Sequence, residues 1–458
     1  MIDLAAHKKI HCVGIGGIGL SAIAEILLSR GYQVSGSDMK DSNILHKLQE
    51  IGATIYIGHR PSQVRGADLV IYTAALPDDN PELVEARKEH IPTATRAEVL
   101  GTLMDEYRNS VAVSGTHGKT TTTSMVSLIL SRAGLDPTVL VGGNLNEIHG
   151  NYRVGASEYF VAEACEYKDS FLHLRPRVEI ILNIDRDHLD YFKNLENIVR
   201  SFTHFVSNAK ADGFVVAVDD NDYVTSVVKD LPAVFRYGYG ADSDYRIKDP
   251  GTTEEGLPFF TICYGDGEEE KISLQVPGDH NILNAAAAFC CCRELGVEAD
   301  VIRASLQAYR GTARRFDRVG MTAKGAQVID DYAHHPTEIR ATLRAASALP
   351  HRKIWCVFQP HTFKRTLALF DDFVQAFDRA DAVILTDIYA GRDKDEHKVH
   401  ARDIVKAMKE KYPGKDIRYQ PTFLAIAEAL RREAKEGDLI LTMGAGNVNE
   451  LDSLLVEE

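Results

Sequence analysis

The chain has 458 residues and a formal net charge of −14, with 45% hydrophobic and 26% charged residues. A single hydrophobic core rarely extends over this length, so we expect two or three domains. The negative charge argues against nucleic-acid binding, which depends on a basic face or arm. The composition excludes a disordered, collagen-like or disulfide-stapled chain.

The cysteines and the apolar segments predict where the protein resides. The seven cysteines lack the paired spacing of a zinc site, and we expect reduced, mostly packed thiols. The first ten residues lead directly into an apolar strand without the hydrophobic run of a signal peptide. No window of the sequence has the apolar length that crosses a membrane. We therefore expect a cytoplasmic protein without membrane insertion.

The N-terminal part, from residue 10 to about 95, alternates short apolar runs with helical patterns. Strands are predicted at 10–13, 33–36, 54–56 and 69–72, and helices at 20–30 and 44–51. This alternation is typical of a parallel sheet with helical crossovers.

A glycine-rich loop follows the first predicted strand. It contains Gly14, Gly16, Gly17 and Gly19, and Asp38 ends the next strand. Glycines at this spacing let the backbone approach a pyrophosphate at a helix N-terminus, where free N–H groups favour anions. The loop therefore predicts a bound diphosphate. A dinucleotide such as NAD is its default ligand, and a nucleotide-diphosphate sugar would use the same interactions.

A second loop opens the next block, between a predicted strand at 110–113 and a predicted helix at 121–133. Its residues are Gly115, Thr116, His117, Gly118, Lys119, Thr120 and Thr121. We expect the backbone amides to wrap the β-phosphate of ATP, Lys119 to reach the β/γ oxygens and Thr120 to bind Mg²⁺. The loop departs from the standard phosphate-binding pattern because Val113 replaces its first glycine.

Further polar side chains follow two predicted strands of this block. The strand at 159–162 leads to Glu163, and the strand at 180–183 leads to Asp187 and His188. Because the carboxyl ends of parallel strands meet at a ligand crevice, Glu163 and His188 are candidate metal ligands. His188 could equally be a hydrogen-bonded loop histidine.

The rest of the chain divides into a turn-rich segment and a third α/β block. Residues 211–276 predict an antiparallel insertion or edge region, followed by a helix at 282–295. Asn281 and Asn284 open that helix, where they would cap it or contact a nucleotide. The arginine-rich segment 311–317 is a predicted hinge. The third block has predicted strands at 327–329, 353–358, 382–386 and 438–443 and helices at 336–348, 367–376, 401–411 and 423–436.

Two strand ends of the third block carry histidines beside charged residues. Asp331, His334 and His335 follow the first strand, and His361 and Arg365 follow the second. We expect a site here, in which cations such as Arg365 hold a carboxylate substrate. The sequence leaves open whether His334 and His335 transfer protons or only shape the start of the helix.

Taken in order, these motifs resemble the Mur ligases along essentially the whole chain. The resemblance rests on the two loops, on 163–166 and 187–190, on 280–284 with 314–316, and on 330–336 with 359–365. It implies an α/β protein of three domains. These are a Rossmann-like UDP-sugar-binding domain at 1–98, a central P-loop-type ATPase domain at 99–312, and a Rossmann-like amino-acid-binding domain at 313–458.

The resemblance also implies the reaction and the site residues. L-alanine would be joined to the lactyl carboxylate of UDP-N-acetylmuramate through an acyl phosphate, with ATP and Mg²⁺, in peptidoglycan precursor synthesis. The implied UDP-sugar contacts are Gly14, Gly16, Gly17, Gly19, Asp38 and His59. The implied ATP contacts are the loop residues 115–121 with Asn281 and Asn284. The implied catalytic residues are Lys119, Glu163, His188, Arg315 and Asp331. Metal binding is assigned to Thr120, Glu163 and His188, and amino-acid or carboxylate binding to His361 and Arg365.

Two positions depart from the family pattern. Cys165 stands where many relatives carry an acid, which argues against an essential ligand there. Thr362 stands where some carry an arginine, so the amino-acid contacts fall to Arg365 and Lys364. We expect a monomer or weak homodimer.

Three alternatives to this function stay open. A related ligase would attach a whole peptide to the same sugar nucleotide. An NAD-dependent oxidoreductase would explain the first loop but would leave the lysine loop without a role. A regulator that binds nucleotides without catalysis would leave the catalytic residues unused.

Overall fold

The structure, a computed structural model, describes residues 2–73, 76–148, 150–391, 393 and 395–456. Its strands are β1 Lys9–Val13, β2 Gln33–Asp38, β3 Thr54–Ile57, β4 Leu69–Tyr72, β5 Thr93–Thr95, β6 Asn109–Ser114, β7 Thr138–Leu145, β8 Gly150–Arg153, β9 Tyr159–Glu163, β10 Val178–Ile181, β11 Phe214–Val218, β12 Val234–Gly238, β13 Tyr245–Thr252, β14 Pro258–Tyr264, β15 Glu268–Ser273, β16 Asp317–Met321, β17 Gln327–Asp331, β18 Ile354–Phe358, β19 Ala382–Leu385, β20 Asp416–Tyr419 and β21 Leu439–Met443.

The helices alternate with these strands over most of the chain. They are α1 Ile18–Ser29, α2 Asn43–Glu50, α3 Pro81–Lys88, α4 Arg96–Asp105, α5 Lys119–Arg132, α6 Leu189–Phe192, α7 Leu195–Val206, α8 Asp222–Val228, α9 His280–Glu294, α10 Ala299–Ala308, α11 Pro336–Ala348, α12 Phe363–Ala368, α13 Phe370–Val374, α14 Ala401–Lys411, α15 Phe423–Glu433 and α16 Asp452–Leu455. Within the described part of the chain, no helix is long and apolar enough to span a membrane.

The chain forms two compact units. The first comprises Met1–Ile184, Ile198–Arg236 and Glu294–Val297, and the second comprises Asp185–Asn197, Tyr237–Arg293 and Glu298–Glu458. Both units are built from strands and helices in alternation, which confirms the predicted α/β class. The domain boundaries at 98/99 and 312/313 stay predictions.

The first unit begins with a parallel sheet of order β3-β2-β1-β4-β5. β1 lies at its centre and is buried after Lys9, as a strand covered on both faces must be. The strand order reverses beside β1, and ligands of open α/β sheets bind at such a point, outside the carboxyl ends of the strands. The glycine loop follows β1 at that place.

A second run of strands in the first unit has the order β11-β10-β6-β9-β7-β8. Its pairs are parallel apart from β7 with β8. The carboxyl ends of β6, β9 and β10 therefore meet at one edge, which gathers the lysine loop, Glu163 and Asn183.

The turn-rich segment is only partly the antiparallel region that its sequence predicts. In the second unit β13, β14 and β15 pair antiparallel, and Phe289 of α9 packs on Tyr245 and Tyr264. In the first unit, however, the segment contributes β11, which is parallel to β10, and the helix α8.

The second unit also contains a sheet of order β16-β17-β21-β18-β19-β20. Its pairs are parallel except β16 with β17. Alternate residues of β18 enter two cores: Cys356 and Phe358 pack with α11, α13 and α14, and Trp355 and Val357 pack with α15. Helices thus cover both faces, as in a doubly wound fold.

Candidate active site

The glycine loop after β1 leaves a helix N-terminus open. Gly14 has a φ of 82°, which favours glycine, and its N–H donates to Ser37 O at 2.8 Å. Gly17 caps α1 without any side-chain hydrogen bond to the first amides. Asp38 orders the loop by accepting from the Gly16 N–H at 2.9 Å. The free amides and the helix dipole favour a bound anion here.

A cation lies beside the same helix start. A β-carbon at Gly19 would stand 2.9 Å from Nη1 of Arg96, so only glycine allows the guanidinium this close to α1. Arg96 opens α4 and was not selected from the sequence. Its charge adds to the attraction of α1 for a diphosphate.

The lysine loop depends on two glycines. Gly115 and Gly118 have φ values of 134° and 86°, and a β-carbon at Gly115 would lie 3.0 Å from Leu182 Cβ. Gly118 also caps α5, so the amides of that helix begin without a side chain over them. This is the backbone that a phosphate-binding loop requires.

Asn183, two residues after the end of β10, clamps the loop from the neighbouring strand. Its Oδ1 accepts from the His117 N–H at 2.8 Å, and its Nδ2 donates to His117 O at 3.0 Å. Its carbonyl accepts from the Thr116 N–H at 3.1 Å. The loop is therefore held in shape by β10 before any ligand binds.

Replacing Asn183 with alanine should loosen this loop. We expect the KM for ATP to rise about tenfold, because two hydrogen bonds that fix the loop backbone are lost. Steady-state kinetics at varied ATP test this, with the exposed Asn144 replaced by alanine as the control. An unchanged KM for ATP would contradict the clamp.

Lys119 is held against its own loop by a buried carboxylate. Its Nζ donates to Gly115 O, to Thr116 O at 3.1 Å and to Glu166 Oε2 at 2.9 Å. Burial disfavours the ammonium, but Glu166 and the nearby Cys165 and Glu163 outweigh it, so the pKa of Lys119 lies above its usual value. The lysine therefore stays charged at the start of α5.

Oxygen donors lie next to this cation. In the pairing of β9 with β6, Glu163 lies beside Val113. Glu163 Oε1 accepts a hydrogen bond from the Gly142 N–H at 2.6 Å. Thr120 is buried in the first turn of α5. A carboxylate and a hydroxyl are hard ligands of the kind Mg²⁺ prefers.

In the second unit, Asp187 and Arg365 form a buried ion pair. Arg365 donates from Nε at 3.2 Å and from Nη2 at 3.1 Å to Asp187 Oδ1. Burial opposes the charge of Asp187, but Arg365 and the nearby His188, His334 and His335 hold its pKa well below the usual range. One edge of the Arg365 guanidinium is therefore already occupied by a carboxylate.

His188 adjoins this pair. It is the N-cap of α6 with a φ of 51°, and its Nε2 lies 3.7 Å from Asp187 Oδ2. Glu163 belongs to the first unit and His188 to the second. Their joint binding of a metal stays a prediction.

Three histidines at the strand ends of the second unit have different environments. His361 Nδ1 accepts from Arg365 Nη1 at 3.2 Å, and burial and Arg365 lower its pKa to about 4. Burial lowers the pKa of His334 to about 3, so both rings are neutral at neutral pH. His335 Nδ1 accepts from the Thr337 N–H at 3.2 Å and its Nε2 donates to Arg186 O at 3.0 Å. His335 therefore shapes the start of α11.

The predicted hinge has a strained backbone beside Asp331. Arg314 and Phe316 have φ values of 62° and 53°. Asp331 accepts from the Phe316 N–H at 2.8 Å and the Ala333 N–H at 2.7 Å. Burial raises the pKa of Asp331 to about 6, although Arg315 opposes the shift. The Arg315 guanidinium lies 4.9 Å from the centre of the Tyr332 ring.

The two asparagines at the start of α9 bond to each other. Asn284 Nδ2 donates to Asn281 Oδ1 at 3.0 Å, and Asn281 Nδ2 donates to Pro277 O at 2.7 Å. Beside them, a cleft of about 220 Å³ is lined by Asp279, His280, Thr337, Arg340, Ala341 and Arg344. Asn281 thus ties the helix to the preceding turn, which is compatible with a ligand contact at the cleft.

Matches to known protein families follow the order of these sites. The Mur ligase family catalytic domain matches residues 9–108, the Mur ligase middle domain residues 113–292, and the Mur ligase glutamate ligase domain residues 314–446. The chain belongs to the Mur ligase family.

Relatives of this Mur ligase extend over its full length. A UDP-N-acetylmuramate–L-alanine ligase of Caldanaerobacter subterraneus is 48% identical over 458 residues, covering 100% of this chain and 99% of the relative. The crystal structure of a UDP-N-acetylmuramate–alanine ligase from Thermotoga maritima has a TM-score of 0.83 and 31% identity, covering 98% of each chain. A murein peptide ligase from Psychrobacter arcticus has a TM-score of 0.75 and 25% identity, covering 97% of each.

These matches confirm the resemblance and the three-domain α/β architecture. The individual residue roles stay predictions. Three side chains that contribute to the sites of this Mur ligase were missed in the sequence: Asn183, Glu166 and Arg96. Only Glu166 had a signal, since it closes the 163–166 motif that carries the resemblance.

The C-terminal part of this Mur ligase buries two neighbouring carboxyls, Asp330 of β17 and Asp452 of α16. Asp330 Oδ2 accepts from Arg314 Nε at 3.1 Å, and Asp452 Oδ1 accepts from Thr442 Oγ1 at 2.7 Å. Burial raises the pKa of Asp330 to about 7 and that of Asp452 to about 6. The native state thus binds a proton on Asp330 more tightly than the unfolded chain does.

This difference predicts a pH-dependent stability. Because the folded pKa of Asp330 is raised, its protonated form stabilises the fold at low pH, and that stability is lost between about pH 4 and about pH 7. The Asp330→Asn variant should therefore melt a few degrees (~2–5 °C) above wild type near pH 8 and close to it near pH 4. Scanning calorimetry tests this, with Asp230→Asn, at a carboxylate that is 89% exposed, as the control. A lower melting temperature near pH 8 would contradict it.

Proposed function

We propose that this chain is an ATP-dependent ligase that joins L-alanine to the lactyl carboxylate of UDP-N-acetylmuramate in the cytoplasm, in peptidoglycan precursor synthesis. The relative at 48% identity is named for this pair of substrates. The observation that carries the proposal is the preformed lysine loop, with Lys119 held charged by Glu166 beside the carboxylate of Glu163.

The loop fits the first half of the reaction. A lactyl carboxylate oxygen attacks the γ-phosphorus of ATP, the bond to the bridging oxygen of ADP breaks, and an acyl phosphate forms. Lys119 and the amides at the start of α5 stabilise the charge on the transferring phosphoryl group. An unreactive carboxylate thereby becomes an acyl donor.

The second half of the reaction forms the amide. The unprotonated amine of L-alanine attacks the acyl carbon, loses its proton, and expels phosphate, which retains one oxygen of the original carboxylate. Neutral His361 and His334 border Arg365, where the alanine or muramyl carboxylate would bind. Arg365 binds Asp187 through Nε and Nη2. Its Nη1, which contacts His361, is not bound to Asp187.

Thr120 and Glu163 fit Mg²⁺, and we assign His188 as a further ligand. When bound, Mg²⁺ would neutralise the β- and γ-phosphate oxygens. We assign Arg315 and Asp331 to closure of the nucleotide site and Asn281 and Asn284 to the adenine end, where the cleft beside α9 opens.

The glycine loop after β1 fits the diphosphate of the UDP-sugar. The amides at the start of α1 and the guanidinium of Arg96 supply its positive charge. We assign Gly14, Gly16, Gly17, Gly19, Asp38 and His59 to the UDP moiety. The diphosphate of NAD would bind the same amides, but an NAD-dependent enzyme would leave the lysine loop without a role.

ADP release in the presence of UDP-N-acetylmuramate and ATP tests the proposal. We expect release that depends on L-alanine and is weaker with glycine or L-serine. Release with a peptide in place of L-alanine would favour the peptide ligase. Nicotinamide binding without ATP turnover would favour the oxidoreductase, and nucleotide binding without any release would favour the regulator.

A further inference from the structure

A buried carboxylate lies behind His59 in the first unit. Glu82, in the first turn of α3, is 0% exposed. Its Oε2 accepts from Ser37 Oγ at 2.7 Å and lies 3.2 Å from His11 Nε2. Its Oε1 lies 3.4 Å from His59 Nδ1 and accepts from the Arg60 N–H at 3.3 Å. His59 Nδ1 also lies 3.0 Å from Ser37 Oγ.

The protons of this cluster can be assigned from its contacts. Burial opposes the charge of Glu82, but His11 and Ser37 outweigh it and hold its pKa below the usual value, so the carboxylate only accepts hydrogen bonds. Ser37 has one proton and donates it to Glu82. Both neighbours of His59 Nδ1 can therefore only accept, and Nδ1 carries the ring proton.

The other ring nitrogen of His59 is then an acceptor. Within the part of the chain that the structure describes, Nε2 has no hydrogen-bond partner. The His59 side chain is 10% exposed. His59 follows β3 at the carboxyl edge of the parallel sheet, and the adjacent Gly58 N–H donates to Asp38 O at 2.8 Å. His59 is thus tied to the residue that orders the glycine loop.

We propose that Glu82 is a positioning residue that fixes the Nδ1-protonated tautomer of His59, so that Nε2 accepts a hydrogen bond from an N–H or O–H of the bound nucleotide. This inference rests on the proposed function, which places a UDP-sugar in this crevice. The donors that a UDP-sugar offers near its base are the imide N–H of uracil and the hydroxyls of the ribose.

A carboxylate is needed for this role, because a glutamine would fill the same space with the opposite effect. If the amide nitrogen of glutamine faced His59, it would donate to Nδ1 and would also meet the Arg60 N–H. If it faced Ser37, Ser37 Oγ would accept from it and could donate its own proton to Nδ1. Either orientation favours a bare Nδ1 and moves the ring proton to Nε2. Two donors would then meet at the ligand. A buried charge is also costly unless it is fully hydrogen-bonded, so simple packing does not require one here.

Calorimetric titration of the full-length Glu82→Gln variant with UDP and three modified forms tests the inference. The probes are 3-methyl-UDP, 2′-deoxy-UDP and 3′-deoxy-UDP, each of which lacks one donor. We expect the substitution to weaken UDP binding about tenfold. One of the three probes should bind the variant as tightly as it binds the wild type, because that probe already lacks the donor bound by His59. The probe that behaves in this way identifies the donor.

Glu85→Gln is the matched control, since Glu85 lies on the same helix and pairs with Arg65 and Lys88. It should bind all four compounds as wild type does. A Glu82→Gln variant with unchanged UDP affinity, or one that weakens all four compounds equally, would overturn the inference alone. A wild-type protein that binds no UDP compound would overturn the proposed function and the inference with it.

If the Glu82→Gln variant fails to fold, a measurement on the wild-type protein still tests the inference. Nitrogen-15 NMR of histidine-labelled wild-type protein distinguishes the two tautomers of His59. We expect a protonated Nδ1 and a bare Nε2. A ring protonated at Nε2 would overturn the inference.

Discussion

Replacing Lys119 with alanine is expected to lower ligase turnover about 10³-fold while leaving the affinity for UDP-N-acetylmuramate unchanged. Glu166 and two loop carbonyls hold the ammonium in the lysine loop. In the proposed function this ammonium stabilises the transferring phosphoryl group. In the proposed function the UDP-sugar binds elsewhere, at the glycine loop after β1. Turnover measured by ADP release, together with calorimetric titration of the UDP-sugar, separates the two effects.

Lys229→Ala is the matched control for this experiment. The Lys229 side chain is 67% exposed and pairs only with Asp230 among the described residues, so its loss should change neither turnover nor binding. A Lys119→Ala variant with wild-type turnover would refute the role of the loop. A variant that also loses the UDP-sugar would mean that the substitution disturbs the first unit as a whole.

Replacing Arg365 with alanine is expected to have two large effects. It removes the cation assigned to the alanine or muramyl carboxylate, so kcat/KM for L-alanine should fall about 10²-fold. It also leaves Asp187 as a buried, unpaired carboxylate, which should destabilise the fold by roughly 3 kcal/mol. Kinetics at varied L-alanine and thermal unfolding measure the two effects.

The double variant Asp187→Asn/Arg365→Ala distinguishes these effects. Removing the stranded charge should restore most of the stability and none of the activity. Arg379→Ala, at an exposed arginine of the same unit, should change neither. Full alanine kinetics in Arg365→Ala would contradict the substrate role, and unchanged unfolding would contradict the ion pair.

The ion pair also has a defined pH dependence. The folded pKa of Asp187 is depressed, so its contribution to stability is present above about pH 4 and is lost as the pH falls further. The raised pKa of Asp330 acts in the opposite direction, with stability lost as the pH rises. Asp187 therefore lowers the stability of the second unit below about pH 4, and Asp330 lowers it as the pH rises from about 4 to about 7.

Local patterns predicted the loops well because their chemistry is local. Gly14, Gly115 and Gly118 adopt positive φ within a few residues of a strand and a helix, and glycine spacing records that requirement directly. The apolar alternation likewise predicted α11 and α14 at the bounds found in the structure. In both cases the determining interactions lie within one turn or one strand.

Residues that act across strands could not be predicted in the same way. Asn183 clamps the lysine loop only because β10 lies beside β6. Glu82 reaches His59 only because the fold brings the start of α3 to Ser37 and His59. The chain separation of these partners leaves no periodic signal in the sequence. Register and packing determine them.

One predicted helix was wrong and one strand was missed, both for physical reasons. The helix predicted at 367–376 is broken at Leu369, whose φ of −113° ends α12 before α13 begins. Strand β16, which begins at the last residue of the predicted hinge, was not predicted, because pairing with β17 at the sheet edge overrides its polar sequence. An edge strand is stabilised by its neighbour more than by its own residues.

Acyl phosphate formation is tested most directly by following oxygen from the muramyl carboxylate. UDP-N-acetylmuramate labelled with ¹⁸O in the lactyl carboxylate is incubated with the enzyme, ATP and L-alanine, and the phosphate is analysed by mass spectrometry. We expect one ¹⁸O atom in the phosphate per amide formed, and the other in the amide product. Amide formation with unlabelled phosphate would contradict carboxylate attack on ATP, and ADP release without amide would contradict ligation.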